Sequence, residues 1–267
     1  MMRTVLLTVA GIALLVFLCF DWRSNRHGVL NVLGSTSIQP FAEMLAQEFN
    51  GREPGFVVDV QGGGSTAGIQ AAMNGVAEIG MCSRNLKQEE AALFRQFEIA
   101  RDGLAIVVHR SNPIESLTRS QVRALFAGEI TNWKEVGGDN REVRLITREE
   151  GSGTREAFQK LVMGSTRISR RALTQESNGA VSELVKHDPC AVGYMSLGLV
   201  GADLKALAID GVAPTMDAAK SGRYPLIRPF LFVTRSDPSE KARAFIDFVL
   251  SAPAQDLLRR EGLIPIR

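Results

Sequence analysis

From Val29 onward the chain alternates between two hydrophobic periods. Short apolar runs predict strands: VLNVLG, FVVDVQ, AEIGM and GLAIVV. Between them the spacing is helical. In STSIQPFAEMLAQEF, residues Phe41, Met44, Leu45 and Phe49 share one face, and in GGGSTAGIQAAMNG the face is Ile69, Ala72, Met73 and Val76. NLKQEEAALFRQF predicts a third helix opened by a capping box from Asn85 to Gln88. Strands alternating with helices in this way argue for a parallel sheet covered by helices.

After Asn112 the texture changes. A helix is capped by Thr118 and closed near Gly128, and VRLIT, AVGYM and ALAID predict short strands. Helices open near Thr154 and Gly179. RYPLIRPFLFVT then predicts a further strand, and SEKARAFIDFVLS a terminal helix burying Phe245, Ile246 and Val249. The order fits two α/β lobes. Residues 29–108 and 227–267 make the first, and 109–226 form an insertion that makes the second. Chain crossings near His109 and Arg228 would form a hinge, with a ligand crevice at the carboxyl ends of the strands.

The N-terminus stands apart. Arg3 precedes the uncharged run Val5 to Phe20, the positive and apolar regions of an export signal. The run is short for a spanning helix, which needs about 17–25 apolar residues. The bulky, polar DWRSNRHG that follows offers no small-residue cleavage site, and Cys19 sits behind a poor lipobox of Val16, Phe17 and Leu18. Residues 1–28 are therefore expected to act as an export signal or membrane anchor, whether cleaved, lipidated at Cys19 or retained. The composition of the whole 267-residue chain is that of a globular protein, 45% hydrophobic and 22% charged. A net charge of +2 gives no nucleic-acid footprint. Cys82 and Cys190 could pair in an exported chain or remain buried thiols. With no CxxC and only His27, His109 and His187, no zinc pattern is present.

The candidate chemistry lies in four loops that each follow a strand and open a helix. They are GSTS at Gly34 to Ser37, GGGST at Gly62 to Thr66, CSRN at Cys82 to Asn85, and REEGSGT at Arg148 to Thr154. Helix N-termini hold unpaired N–H groups and partial positive charge, so they bind anions. Glycine lets an oxyanion approach the backbone, and hydroxyls at Thr36, Ser37, Ser65, Ser83, Ser152 and Thr154 add donors. Arg148 supplies a two-pronged fork for a phosphate-like group. Ser or Thr before a helix is also the commonest N-cap, so any single loop is ordinary. Four such loops are less so. No GxxxxGK[ST] and no GxSxG motif is present.

Read in order, GSTSIQPFAEMLAQEF, VQGGGSTAGI, AEIGMCSRNL, ITNWKEVGG, REEGSGTREAF, SNGAV and AVGYMSLG resemble the phosphate-binding proteins of bacterial phosphate ABC importers. The resemblance runs from about Val29 to Ile266. It implies a two-lobe periplasmic-binding-protein fold closing on dehydrated phosphate. It maps phosphate contacts onto Ser35, Thr36, Ser37, Ser65, Ser83, Arg84, Arg148, Ser152, Gly153 and Thr154, with Glu150 as the carboxylate that pairs with Arg148. One departure stands out. The best-known branch has an aspartate at the position of Ser83, where it accepts a proton from phosphate, so here the acceptor is unassigned.

The expectation is capture of inorganic phosphate outside the cytoplasmic membrane and delivery to an ABC permease. The protein should be a monomer without catalysis, metal, cofactor or nucleic-acid partner. Sulfate or molybdate is the alternative ligand. A phosphate sensor or a phosphatase is the alternative class.

Overall fold

The computed structural model describes residues 28–53 and 55–266; Cys19 and the rest of the predicted export segment up to residue 27 lie outside them. No helix among the described residues is long and apolar enough to cross a membrane.

The first three strands are β1 (Gly28–Gly34), β2 (Phe56–Gly62) and β3 (Ile79–Cys82), all parallel in the order β2-β1-β3. Between them run α1 (Gln39–Arg52) and α2 (Ser65–Met73). Phe41, Leu45 and Phe49 of α1 are buried and Met44 packs at the margin, as the helical spacing predicts. Pro40 sits in the first turn, where its missing N–H is not needed. On α2, Ile69 and Ala72 are buried, but Val76 lies past the helix end and is exposed.

The third predicted helix contracts to one turn, α3 (Gln88–Ala91). The Asn85–Gln88 capping box does not form. Instead Glu90 accepts from the Lys87 N–H at 2.8 Å and also grips Arg84. The FRQF end of the predicted helix enters β4 (Arg95–His109), a strand far longer than GLAIVV alone. Pairing with a strand from the distant C-terminal segment overrides the local helical pattern there.

β5 (Ser116–Leu117) precedes α4 (Arg119–Ala127). Here the sequence signals hold: Thr118 Oγ1 accepts from Gln121 N–H, Gln121 Oε1 accepts from Thr118 N–H, and Gly128 closes the helix at φ +80°. Next come β6 (Arg144–Arg148), α5 (Gly153–Phe158), β7 (Leu173–Gln175), α6 (Asn178–His187) and β8 (Ala191–Ser196). They are followed by β9 (Leu204–Ala206), β10 (Ala208–Ile209) and α7 (Met216–Lys220). β11 (Ile227–Thr234), α8 (Glu240–Val249) and α9 (Ala252–Arg260) complete the chain; α9 was not foreseen from sequence. Phe245, Ile246 and Val249 of α8 are buried.

The sheet runs β2-β1-β3-β11-β4-β8-β6-β7, with β9 also against β4. It is mixed rather than parallel, because β11 runs antiparallel to both β3 and β4, and β4 antiparallel to β8. β4 crosses between two packing environments. Ile99 and Ala100 join a core with Phe41, Phe49, Phe230, Phe232 and Phe245. Leu104, Ile106 and Val108 join another with Phe126, Trp133, Phe158, Tyr194 and Tyr224. The change falls around Asp102 and, on β11, between Leu226 and Phe230. In the second core the Phe158 and Tyr194 rings stack at 4.0 Å, and the Tyr194 hydroxyl reaches Thr147 Oγ1 at 2.7 Å and Arg148 N–H at 3.2 Å. Packing thus reaches the REEGSGT loop directly.

The first core also sets the GGGST loop. Gly68 on α2 lies so close to β1 and β3 that a Cβ would stand 2.6 Å from Leu33 O and 2.9 Å from Met81 O. Both obstacles are backbone and cannot rotate away. Gly68→Ala is therefore expected to lower unfolding stability by about 1–3 kcal/mol, the usual range for overpacking. Urea titration checks it, and a midpoint unchanged from wild type would show that α2 can lift without cost.

Candidate functional site

Four loops and two strands bring a cluster of buried hydroxyls together. Ser35, Ser37, Ser65, Ser83, Ser152 and Thr154 are each no more than 2% exposed. Ser35 Oγ donates to Ser83 Oγ at 2.8 Å, and Ser37 Oγ lies 2.8 Å from Thr154 Oγ1 across the cleft. Ser65 Oγ accepts from Ser83 N–H at 3.0 Å and lies 3.4 Å from Ser83 Oγ. Most of these hydroxyls are not helix caps: α1 and α2 have no side-chain cap. Ser152 is one, accepting from Arg155 N–H at 3.3 Å, and there the ordinary reading of the sequence applies to the side chain. Thr36 is half-buried and accepts from Arg148 Nη2 at 3.1 Å.

Arg148 is 1% exposed at the end of β6. Nε and Nη2 donate to Glu149 Oε2 and Oε1 at 2.9 and 3.0 Å, and to the carbonyls of Gln175 and Glu176 at 3.1 Å each. The carboxylate that pairs with Arg148 is therefore Glu149, not Glu150. Glu150 is exposed because the chain turns outward after Glu149 toward Gly151, at φ +92°. Nη1 of Arg148 is buried and has no hydrogen-bond partner among the described residues. A buried guanidinium donor without an acceptor is costly, so this atom marks where an anion belongs.

Arg84 is also buried, but its guanidinium turns to carboxylates. Nη1 and Nη2 donate to Glu90 at 2.7 and 2.9 Å, and Nε lies 3.0 Å from Glu156 Oε2 in an ion pair not aligned as a hydrogen bond. Burial alone would raise the Glu90 carboxyl, but Arg84 and the Lys87 N–H together hold it below the ordinary value. Glu156 lies on α5 and also faces Lys87 at 3.8 Å, so Arg84 joins the CSRN loop to the helix that the REEGSGT loop opens.

A second arginine was missed as a site residue. Arg228, 2% exposed, stands opposite Asp102 in the β11–β4 register, and its Nε and Nη2 donate to Asp102 Oδ2 at 2.9 and 2.8 Å. Nη1 donates to Thr154 Oγ1 at 2.7 Å and Nη2 to Ser37 Oγ at 3.1 Å. Asp102 Oδ1 accepts from Ser196 Oγ at 2.8 Å. Burial pushes the Asp102 carboxyl up and Arg228 down, each opposed by the other partner. Asn178, at the start of α6, donates from Nδ2 to Ser37 Oγ at 2.9 Å and accepts from Ser196 N–H. A signal for the pair was present: an arginine inside PLIRPFLFVT and an aspartate inside ARDGLAIVV are charges in runs that must be buried, hence paired.

The backbone closes around the cluster. Thr66 N–H donates to Gly151 O at 3.0 Å across the cleft. A Cβ on Gly153 would meet Ser65 Oγ at 2.1 Å and Ser83 Oγ at 2.6 Å, so only glycine fits against those hydroxyls. Cys82 and Cys190 are free thiols; burial pushes Cys82 up to about 11. No cluster of metal-ligating groups occurs among the described residues. A cavity of about 250 Å³ beside Gly128 and Leu145 lies away from this chemistry, and one of about 320 Å³ flanks it at Arg84, Lys160 and Arg228.

Two α/β lobes meeting across a closed, donor-lined cleft define a substrate-binding protein. The family model of the PBP superfamily domain matches residues 23–253, and the chain belongs to that superfamily. Its nearer likenesses are to proteins of phosphate import. An ABC-type phosphate transport receptor from Vibrio cholerae is 40% identical with a TM-score of 0.75, covering 88% of this chain and 99% of that one. A substrate-binding protein assigned to phosphate ABC transport in Clostridium perfringens, solved with bound phosphate, is 38% identical with a TM-score of 0.87, covering 90% and 100%. The phosphate-binding protein PstS of Bacillus subtilis is 28% identical over 91% of this chain and 82% of its own length.

The two neighbouring glutamates give a direct check. Glu149→Gln leaves the buried Arg148 charge without its carboxylate and is expected to cost about 1–3 kcal/mol in denaturant melts. Glu150→Gln should stay within about 0.5 kcal/mol, as exposed positions do. The reverse ranking would return Glu150 to the pairing role.

Proposed function

We propose that the protein captures inorganic phosphate in the cleft between its lobes and delivers it to an ABC permease. The observation that carries this reading is the buried, unpartnered Nη1 of Arg148 beside a cluster of hydroxyls. The phosphate-bound Clostridium relative supports it. Ser35, Thr36, Ser37, Ser65, Ser83, Arg148, Ser152, Gly153 and Thr154 would surround the anion, through hydroxyls and through N–H groups at the start of α2 and α5. Arg84, held by Glu90 and Glu156, acts as a clasp across the closed cleft rather than as an anion contact. The lobes are joined where β4 and β11 exchange cores, around Asp102 and Arg228, so the hinge lies deeper in β4 than a boundary at 108. The protein works as a monomer without catalysis, outside the cytoplasmic membrane, carried there by residues 1–28.

Charged hydrogen bonds contribute about 1.5–3 kcal/mol each. Arg148→Ala should therefore weaken phosphate binding by about tenfold to several-hundredfold in titration calorimetry. Arg148→Lys should recover only part, because an ammonium lacks the fork. Unchanged affinity in Arg148→Ala would place the arginine outside the site.

Selectivity follows from acceptors. Phosphate near neutral pH carries a P–OH and sulfate does not. A fixed carboxylate would reject sulfate strongly, whereas a hydroxyl can rotate to donate or accept. Phosphate should therefore outcompete sulfate, and Ser83→Asp should widen the margin. Equal binding of both anions by the wild type would remove the phosphate assignment.

A further inference from the structure

The hydroxyls around the cleft differ in what they can still offer a ligand. A guanidinium has five N–H donors. Those of Arg228 are fully engaged by protein. Nε and one Nη2 hydrogen go to Asp102, the other Nη2 hydrogen to Ser37, and the Nη1 hydrogens to Thr154 at 2.7 Å and Ser83 at 3.4 Å. Arg228 thus has nothing left to give an anion, in contrast to Arg148 with its open Nη1. Its effect must pass through the hydroxyls it touches.

A hydroxyl has one donor hydrogen and two acceptor lone pairs. Ser37 Oγ receives Asn178 Nδ2 at 2.9 Å and Arg228 Nη2 at 3.1 Å, which fills both lone pairs. Its hydrogen then goes to Thr154 Oγ1, 2.8 Å away. Thr154 Oγ1 receives both Ser37 Oγ at 2.8 Å and Arg228 Nη1 at 2.7 Å, which fills its lone pairs and leaves only its hydrogen for a ligand. On the opposite side, Ser65 Oγ receives the Ser83 N–H at 3.0 Å and lies 3.4 Å from Ser83 Oγ, so no arginine fixes its direction.

Building on the phosphate reading, we propose that Arg228, held by Asp102 and assisted by Asn178 through Ser37, fixes Thr154 as a donor. Thr154 then reads an unprotonated phosphoryl oxygen, and the P–OH hydrogen is left to an acceptor elsewhere in the cleft. Arg228, Asp102 and Asn178 are positioning residues, two of them on the strands that join the lobes. The polarity of the site is thus set from the hinge. Asp102 cannot itself take the ligand's proton, because Arg228 and Ser196 occupy its oxygens.

The test compares phosphate and sulfate affinity by titration calorimetry in wild type, Asn178→Asp and Arg228→Lys, at one pH and one salt concentration. Asn178→Asp replaces the donor facing Ser37 with an acceptor, which draws the Ser37 hydrogen away from Thr154, so that Thr154 can donate to Ser37 and present a lone pair to the ligand. Sulfate has no proton to meet that lone pair. It should lose at least about tenfold more affinity than phosphate, the effect of one charged hydrogen bond. Arg228→Lys keeps a cation beside Asp102 but cannot hold both hydroxyls, so it too should shift the phosphate-to-sulfate ratio. Thermal melts establish that each variant is folded, and Asn178→Asp decides the matter if Arg228→Lys does not fold. Equal losses for both anions, with the ratio unmoved, would overturn the orienting role. A wild type that binds neither anion would instead overturn the phosphate reading beneath it.

Discussion

The structure depends on one buried ion pair. Arg228 and Asp102 face each other across neighbouring antiparallel strands with side chains 1% and 0% exposed. Removing two charges from water costs several kcal/mol per ion, and their attraction alone rarely repays it. Such a pair persists when further hydrogen bonds satisfy the remaining donors and acceptors. Here those bonds come from Ser37, Ser83 and Thr154 for the arginine, and from Ser196 for the aspartate. The partners belong to loops from both lobes, so what stabilises the pair also assembles the cleft.

The cleft follows from that constraint. Loops at the ends of β1, β2, β3 and β6 carry the hydroxyls, and glycines at positions 34, 68 and 153 let backbone approach backbone or hydroxyl where no Cβ fits. Tyr194, stacked on Phe158, fixes the end of β6 from below through Thr147 and the Arg148 N–H. Arg148 then stands with four hydrogen-bonded neighbours on one side and an open Nη1 on the other. The two arginines differ: Arg148 keeps one open donor, while Arg228 gives all of its donors to Asp102 and the surrounding hydroxyls.

Much of this was legible in the sequence where the signal is local. Helix faces such as Phe41, Leu45 and Phe49, the Thr118 cap and the Gly128 stop need only neighbours within a few residues. The four hydroxyl loops were legible too, because four glycine- and hydroxyl-rich turns from strand to helix are more than capping alone requires. What failed was non-local. NLKQEEAALFRQF carries helical spacing, but Phe94 and the residues after it are claimed by packing and pairing with β11. Glu149 and Glu150 are indistinguishable as letters, and only the turn at Gly151 decides which meets Arg148. Arg228 and Asp102 lie 126 positions apart, and each alone reads as an isolated charge in a strand.

The central claim is that this cleft holds phosphate through Arg148. Protein purified from cells without added ligand, then denatured and its released anions separated by ion chromatography, tests it most directly. The account expects phosphate near one per chain from wild type and a sharp drop from Arg148→Ala. Sulfate or another anion in that stoichiometry, or phosphate retained equally by Arg148→Ala, would contradict it.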